Sequence, residues 1–281
     1  MASKKDISKY PKFSVLMSVY EKEDPNNLDA ALTSVEQQTV IPNEIVLVED
    51  GPIPERLQSV VADHRSKFVN TFKVVKSIHN QGLGASLRLG TMSVSTDWIA
   101  RMDSDDVSVP NRFELQLKAI LNNPQLAIVG GQIQEFAGKL SNVVGYRKVP
   151  TSEVQLRQFL KWRSPFNHPS VIINKKVLQE VGGYVPYGNL EDYYLWSRII
   201  IQQYHVMNID QVVLKMRVDK GMYQRRGKIS NLKYFYRLRN FLYTHQLLTW
   251  QEKMLGDWIM TLNIVMPGWI RKAVYQHVLH K

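Results

Sequence analysis

Four residues near the middle of the chain, Asp103-Ser104-Asp105-Asp106, place three carboxylates directly after a short apolar run. Carboxylates crowded this closely repel one another, and a cation relieves the repulsion. A few oxygen ligands with open positions suit Mg²⁺ or Mn²⁺ shared with a diphosphate. Such a metal neutralises the charge that develops as a nucleotide leaves. The competing reading is an acidic turn, in which Asp106 or Ser108 caps the helix expected from Pro110. Arg101, two residues upstream, carries a planar fork suited to phosphate or carboxylate.

Three further segments carry chemistry of lower specificity. Glu49-Asp50-Gly51 also follows an apolar run; its carboxylates suit a base N–H or a ribose hydroxyl, while Asp-Gly is equally ordinary turn chemistry. Asn80-Gln81-Gly82-Leu83-Gly84 opens a helix, where backbone amides can approach a phosphate. It matches neither a dinucleotide fingerprint nor a P-loop. Glu191-Asp192 begins a helix behind a glycine-rich loop. The pair is either dipole-stabilised helix-start acid or a general base for an acceptor hydroxyl. His168 precedes an expected strand, a position more often structural than catalytic.

These residues need a scaffold, and the apolar runs describe one. Strands are predicted at 13–19, 44–48, 72–76, 98–102 and 126–130, separated by helices near 24–36, 54–64, 84–93 and 110–122. Alternation of this kind predicts βαβ units and a mostly parallel, Rossmann-like α/β sheet with helices on both faces. In such sheets ligands bind beyond the carboxyl ends of the strands. Tyr20-Glu21, Glu49-Asp50 and the Asp103 cluster all fall there. After Gly131 the pattern turns mixed, with short strands at 132–136 and 170–174 and helices at 151–162 and 192–202. The reading divides the chain into a polar extension (1–11), a catalytic domain (12–215, its nucleotide half 12–130 and acceptor half 131–215) and a basic helical C-terminal region (216–281).

The charge is as uneven as the pattern. The 281 residues carry a net +11, of which 215–281 hold thirteen Lys or Arg against three acids, a net of +10. That asymmetry suggests an anionic partner. The absence of cysteine excludes disulfides and thiolate zinc sites. No secretory signal is expected at the start. No run reaches the roughly 18 apolar residues of a spanning helix.

Taken in order, these segments resemble the inverting glycosyltransferases of family 2, which share the GT-A fold. Val15-Leu-Met-Ser-Val-Tyr20 resembles the first strand of that fold. Ser34-Val-Glu-Gln-Gln-Thr39 and Pro42-Asn-Glu-Ile-Val46 resemble the helix after it and that helix's exit. Val48-Glu-Asp-Gly-Pro52, Asn80-Gln-Gly82 and Ala100-Arg-Met-Asp-Ser-Asp-Asp106 are similar to its base-reading, loop and Asp-x-Asp motifs. The resemblance implies donor contacts from Ser18, Val19, Tyr20, Glu21, Asp50, Asn80, Gly82, Arg101 and Asp103. It implies Mn²⁺ or Mg²⁺ at Asp103 and Asp105, and Asp192 as general base. Glu191, His168, Arg225 and Arg226 are candidates for acceptor contacts or for supporting them.

The subgroup most similar builds bacterial exopolysaccharide, capsule and lipopolysaccharide. It implies a nucleotide-sugar donor, with UDP the commonest base, and a glycan or lipid-linked acceptor. It also implies a cytoplasmic enzyme held peripherally on the inner face of the membrane by the C-terminal region. The Gln-x-x-Arg-Trp motif of processive synthases is absent, which favours single addition. Two rivals stand beside this reading. A sugar nucleotidylyltransferase needs a glycine-rich basic loop where Tyr20-Glu-Lys-Glu-Asp24 lies. A nucleic-acid-binding module would use Tyr234, Tyr236, Phe241 and Tyr243 among Lys233, Arg237 and Arg239.

Overall fold

The computed structural model describes residues 9–68, 70–218 and 232–265. Its first half is β1 (Phe13–Val19), α1 (Pro25–Glu36), β2 (Glu44–Glu49), α2 (Glu55–Lys67), β3 (Phe72–Lys76), α3 (Leu83–Ser93) and β4 (Trp98–Arg101). β1 is buried along nearly its whole length and β2 and β4 throughout, as a sheet covered on both faces requires. Asp24 caps α1 by accepting from the Asn26 amide at 2.8 Å, with Pro25 at the first helical position. The strands pair in parallel in the order β3-β2-β1-β4. Val19 faces Glu49 and Leu16 faces Arg101, so the carboxyl ends of β1, β2 and β4 form one rim.

Beyond β4 come β5 (Val107–Ser108), α4 (Arg112–Asn122), β6 (Leu126–Phe136), β7 (Val143–Arg147), α5 (Glu153–Leu160), a 3₁₀ turn (His168–Ser170), β8 (Ile172–Asn174), α6 (Lys175–Glu180), α7 (Glu191–Ile201) and β9 (His205–Arg217). The two strands expected at 126–130 and 132–136 are one strand, with register shifts where Gly131 and Gln132 pass β9. β6 does not follow β4 in the sheet. The short strand β8 lies between them, antiparallel to both. That reversal has a consequence for the site: β8 begins at the rim where β4 ends, with Ala100 opposite Ile172. The 3₁₀ turn carrying His168 is thereby delivered beside Arg101.

Each face of the sheet has its own apolar core. One gathers Val15, Met17, Leu47 and Ile172 with α1, α2 and α4; the other gathers Leu16, Val46, Val48 and Ile173 with α3, α5 and α7. α3 approaches closely because Gly90 has no side chain. A Cβ there would lie 2.4 Å from Leu16 Cδ1 and 2.7 Å from Val48 Cγ2.

Of two C-terminal helices, α8 (Leu232–Thr244) packs on the second face through Leu238 and Leu242, and α9 (Trp250–Val265) packs against α8. Two of the four α8 aromatics that a nucleic-acid-binding module would use are engaged in ring contacts. Tyr234 meets the Tyr187 ring at 5.6 Å, and Phe241 meets Tyr194 edge-on at 5.1 Å. These rings are therefore spent on tertiary packing and are not available to stack on bases, which removes two of the four aromatics invoked for nucleic-acid binding.

Candidate active site

The rim of the sheet is where polar residues enter the protein interior. Arg101, the last residue of β4, is 1 % exposed, and its Nη2 holds Asp103 Oδ1 at 2.5 Å. Its Nε and Nη1 are buried without a hydrogen-bond partner. Beneath it Arg112, fully buried, donates Nη2 to the Arg101 carbonyl at 2.7 Å and Nη1 to Ser108 Oγ at 3.1 Å. Burial pulls Arg112 down to about 9, with Asp106 opposing and Arg101 assisting. A buried guanidinium pair of like sign needs compensating charge, and the next turn supplies it.

That turn brings carboxylate oxygens of Asp103, Asp105 and Asp106 to within 4.8 Å of one another. Burial, then Asp103 and Glu23, push Asp105 up to about 7. Burial, then Asp103 and Asp105, hold Asp106 well above the usual carboxylate range. Asp106 Oδ1 accepts from the Arg217 amide at 2.9 Å, while Oδ2 is buried without a partner. Asp106 thus fastens β9 to this turn and does not cap α4, whose N-cap is Asn111. An orphaned buried oxygen in a cluster of three carboxylates is the environment a divalent cation relieves, so these residues fit a metal.

Two residues missed in the sequence complete the turn. Glu23 accepts from Ser104 Oγ at 2.6 Å and clamps the turn to the end of β1. Arg217 donates Nε to the Asp105 carbonyl at 3.2 Å and Nη1 to Gly138 O at 2.9 Å. Glu23 lay within a run of exposed-looking charge, and Arg217 belongs to a strand that local pattern did not show.

Of the other donor candidates, Asp50 is buried, and its two oxygens accept from Gln81 N at 2.8 Å and Gly82 N at 3.0 Å. It ties the end of β2 to the start of α3. Gly51, at φ +83°, permits the approach, since a Cβ there would stand 2.7 Å from Asn80 N. Asn80 is exposed and Gly82 half-buried at the mouth of this loop. Ser18 is half-buried, and Tyr20 and Glu21 are exposed at the rim. The Val19 side chain lies in the core and its carbonyl accepts from Asp50 N, so Val19 is occupied structurally.

The far wall of the site is α7. Leu190 is its N-cap, so Glu191 and Asp192 occupy the first turn without capping it. Glu191 packs its methylenes toward Gly84 at the start of α3, where a Cβ would meet them at 3.7 Å. Its Oε2 is buried without a partner, and burial, with Asp192 and Asp103 adding, pushes the carboxyl up to about 7. Asp192 is half-buried beside it. Tyr184 is buried between the two walls. Burial raises its phenol, Arg101 opposes, and Asp192, Glu191 and Asp103 add to the rise.

His168 sits behind Tyr184, with Nε2 at 3.1 Å from the hydroxyl and Trp196 edge-on at 5.9 Å. Burial and then Arg101 hold it well below its ordinary value, so it is neutral and supports Tyr184. Arg225 and Arg226 lie outside the described residues. A cavity of about 390 Å³ lined by Pro11, Trp98 and Pro124 is at the opposite ends of these strands and takes no part.

Buried cations at a strand rim, a metal-fitting carboxylate trio and a facing acidic helix start form one polar centre. The family model "Glycosyl transferase family 2" matches residues 14–182. The amylovoran biosynthesis glycosyltransferase AmsE of Erwinia amylovora is 34% identical, with 94% of this chain and 98% of that protein covered. The UDP-Gal:alpha-D-GlcNAc-diphosphoundecaprenol beta-1,3-galactosyltransferase of Escherichia coli is 32% identical, with 96% and 98% covered. Among solved structures, mannosyltransferase PcManGT from Pyrobaculum calidifontis, in complex with GDP-Man and Mn²⁺, superposes with a TM-score of 0.63 at 13% identity. That match covers 96% of this chain and 81% of that one and is a likeness of fold. The chain belongs to glycosyl transferase family 2 and is a glycosyltransferase built on the GT-A fold.

Proposed function

We propose that this enzyme inverts the anomeric centre of a nucleotide-linked sugar, most simply a UDP-hexose or UDP-N-acetylhexosamine. The acceptor is a hydroxyl on a glycan or lipid-linked oligosaccharide of bacterial surface polysaccharide. The observation that carries the proposal is the opposition of the Asp103 trio to the start of α7. Arg101 holds Asp103 and donates its backbone N–H to Val171, just after the turn carrying His168, and His168 meets Tyr184 in the loop that leads to α7. The relatives named for amylovoran and for a diphosphoundecaprenol-linked acceptor support the same substrate class.

Donor contacts fall to the rim: Ser18, Tyr20 and Glu21 from β1, Asp50 with the Asn80–Gly82 loop, and Arg101 with Asp103. Asp103 and Asp105 would hold Mn²⁺ or Mg²⁺, with Asp106 behind them, and the ion would supply charge neutralisation for the diphosphate. Arg101 adds fixed positive charge that needs no reorganisation during reaction. Asp192 takes the proton of the acceptor hydroxyl as that oxygen bonds to C1. The C1–O bond to the diphosphate breaks in line, and its electron pair leaves with the nucleotide. Tyr184, kept protonated by its buried and acidic surroundings, lines the gap between the walls. The enzyme acts peripherally at the cytoplasmic face of the membrane, through residues 216–281.

One observation favours a second assignment of the base. Glu191 has an unpartnered oxygen and a pKa near neutrality, both useful for proton transfer. Transfer rate and donor affinity of Asp192→Asn and Glu191→Gln separate the two. We expect Asp192→Asn to lower kcat at least about a hundredfold with donor Kd nearly unchanged, and Glu191→Gln to lower it less. The reverse pattern moves the base to Glu191, and full activity of both removes it from α7.

A further inference from the structure

We propose that the outward face of α9, with the neighbouring face of α8, is an interfacial surface that lies in an anionic lipid bilayer. Trp250, Met254, Leu255, Trp258, Ile259 and Leu262 are all exposed, the two tryptophans at 62 % each. At 100° per residue they cover about 180° of the helix. Gln251 and Thr261 are the polar residues that interrupt them. An ordinary surface helix buries that stripe against the core. Here the helix is turned the other way.

What α9 gives to the protein is its charge. Glu252 pairs with Lys161 at 2.8 Å, and Asp257 pairs with Arg239 at 3.1 Å and Lys253 at 2.8 Å. Gly256 lies under Arg239 so closely that a Cβ would stand 2.0 Å from its Cζ. The orientation is therefore set by the two ion pairs that leave the helix, Lys161–Glu252 and Arg239–Asp257, and by one required glycine. The apolar stripe is left outside as the consequence.

The surface beside the stripe has the composition of a membrane interface. Tyr236 of α8 reaches α9 through its hydroxyl, 2.6 Å from Thr261 Oγ1. Tyr236 and Tyr243 are exposed, as are Lys233 and Arg237. α8 contains no acidic residue, and both acids of α9 are turned inward. Trp and Tyr favour the headgroup level, and Lys and Arg favour anionic headgroups. A second copy of this chain would bring Lys233 and Arg237 against like charge, so the charge favours lipid. Among the described residues no helix is long and apolar enough to cross a membrane, so the helix lies on the surface. Tyr234 joins this face to the acceptor side: it packs on Gly188, in the loop before Glu191, where a Cβ would be 2.5 Å from its ring. The surface deepens the lipid-linked acceptor reading and rests on it for its purpose.

Cosedimentation of the full chain with phosphatidylglycerol–phosphatidylethanolamine vesicles tests it, with phosphatidylcholine vesicles as the neutral arm. The wild type is expected to bind the anionic vesicles and to bind the neutral ones at least tenfold less. Trp258→Glu combined with Leu262→Glu is expected to weaken anionic binding at least tenfold. Leu121→Glu, an exposed apolar position on the opposite face of the sheet, is expected to bind as the wild type does. Hydrolysis of nucleotide sugar without acceptor, measured on the same samples, is expected to be unchanged by the α9 pair. Loss of that hydrolysis in every sample while vesicle binding persists would sink the transferase reading and leave this surface standing. Equal sedimentation of wild type and α9 variant overturns the proposal. So does a wild-type dimer that the α9 variant converts to monomer without any vesicle binding.

Discussion

The rim of the parallel strands and the outward face of α9 both invert the usual partition of polar and apolar groups, and they do so oppositely. At the rim, Arg101 and Asp106 are buried with some of their polar atoms unmatched. At α9 the charges facing the protein are paired, buried Arg239 and half-buried Lys253 with Asp257, and Lys161 with Glu252. What is unmatched there is apolar surface. Burying charge without full compensation is costly, and exposing a broad apolar stripe to water is costly as well. The first site lacks ionic partners and the second lacks a nonpolar phase. Each deficit describes its ligand: a metal with a diphosphate at the rim, and a bilayer at α9.

Removing charge from each region should break this comparison in different observables. The largest effect is expected at the rim. Asp103→Asn takes away the carboxylate that pairs with Arg101 and one side of the metal-fitting trio. We expect kcat/KM to fall about 10²–10³-fold, the scale for losing one preorganised electrostatic group. Calorimetry with a UDP-sugar should show that the Mn²⁺-dependent part of donor affinity is gone. Donor affinity equal to that of the wild type, with and without EDTA, would take the metal out of the mechanism.

At α9 the corresponding change should cost stability and spare chemistry. Arg239 is 6 % exposed and donates to the carbonyls of Lys161 at 3.0 Å and Lys253 at 3.3 Å besides its ion pair with Asp257. Arg239→Met removes the donor to both carbonyls and leaves Asp257 with Lys253 alone, a loss of about 3 kcal/mol, or roughly 10 °C in Tm. Hydrolysis of the donor below the new Tm should be unchanged. A variant that melts with the wild type would show that α9 is not held by its charged face.

The smallest effect sharpens the contrast through pH. Asp105 binds its proton more tightly in the folded state, about 7 against an ordinary 3.8, and Glu191 does likewise, about 7 against 4.5. Folding therefore takes up protons between about pH 4 and 7, and stability falls as pH rises through that window. Glu44 and Glu153 are held below their ordinary value and act in the opposite sense beneath about pH 4.5, and His168, held neutral, opposes in part below 6.5. Without divalent metal, Tm should be a few degrees higher near pH 5.5 than near pH 8. Mn²⁺ should shrink the difference, and Asp105→Asn should shrink it without metal. Melting curves that do not move between the two pH values would mean that the carboxylates are not crowded in solution.

Much of the first half was legible because its signals are local. β1 to β4 are short apolar runs, and the polar residues at their ends mark the rim whatever lies beyond them. Asp24-Pro25 announces α1 by its own chemistry. β9 was not legible, because its half-buried residues are interrupted by Asp210-Gln211 and it gains strand pairing only against the shifted register of β6. β8 was legible as a strand, but its antiparallel insertion beside β4 was not, and with it the closeness of His168 to Arg101.

The sequence by itself determined the parallel half of the sheet, the carboxylate clusters at its rim and the basic excess of the C-terminal region. These follow from composition, period-dependent burial and spacing, all readable within a few turns of chain. Only the tertiary structure decided that Asp106 is orphaned, that Asp50 ties down the loop before α3, and that Glu23 and Arg217 brace the Asp103 turn. It alone decided which side of α9 faces outward. An amphipathic helix has the same periodicity whichever face it presents, and the choice lies with Lys161 and Arg239, up to 91 residues away in sequence from the acid they meet.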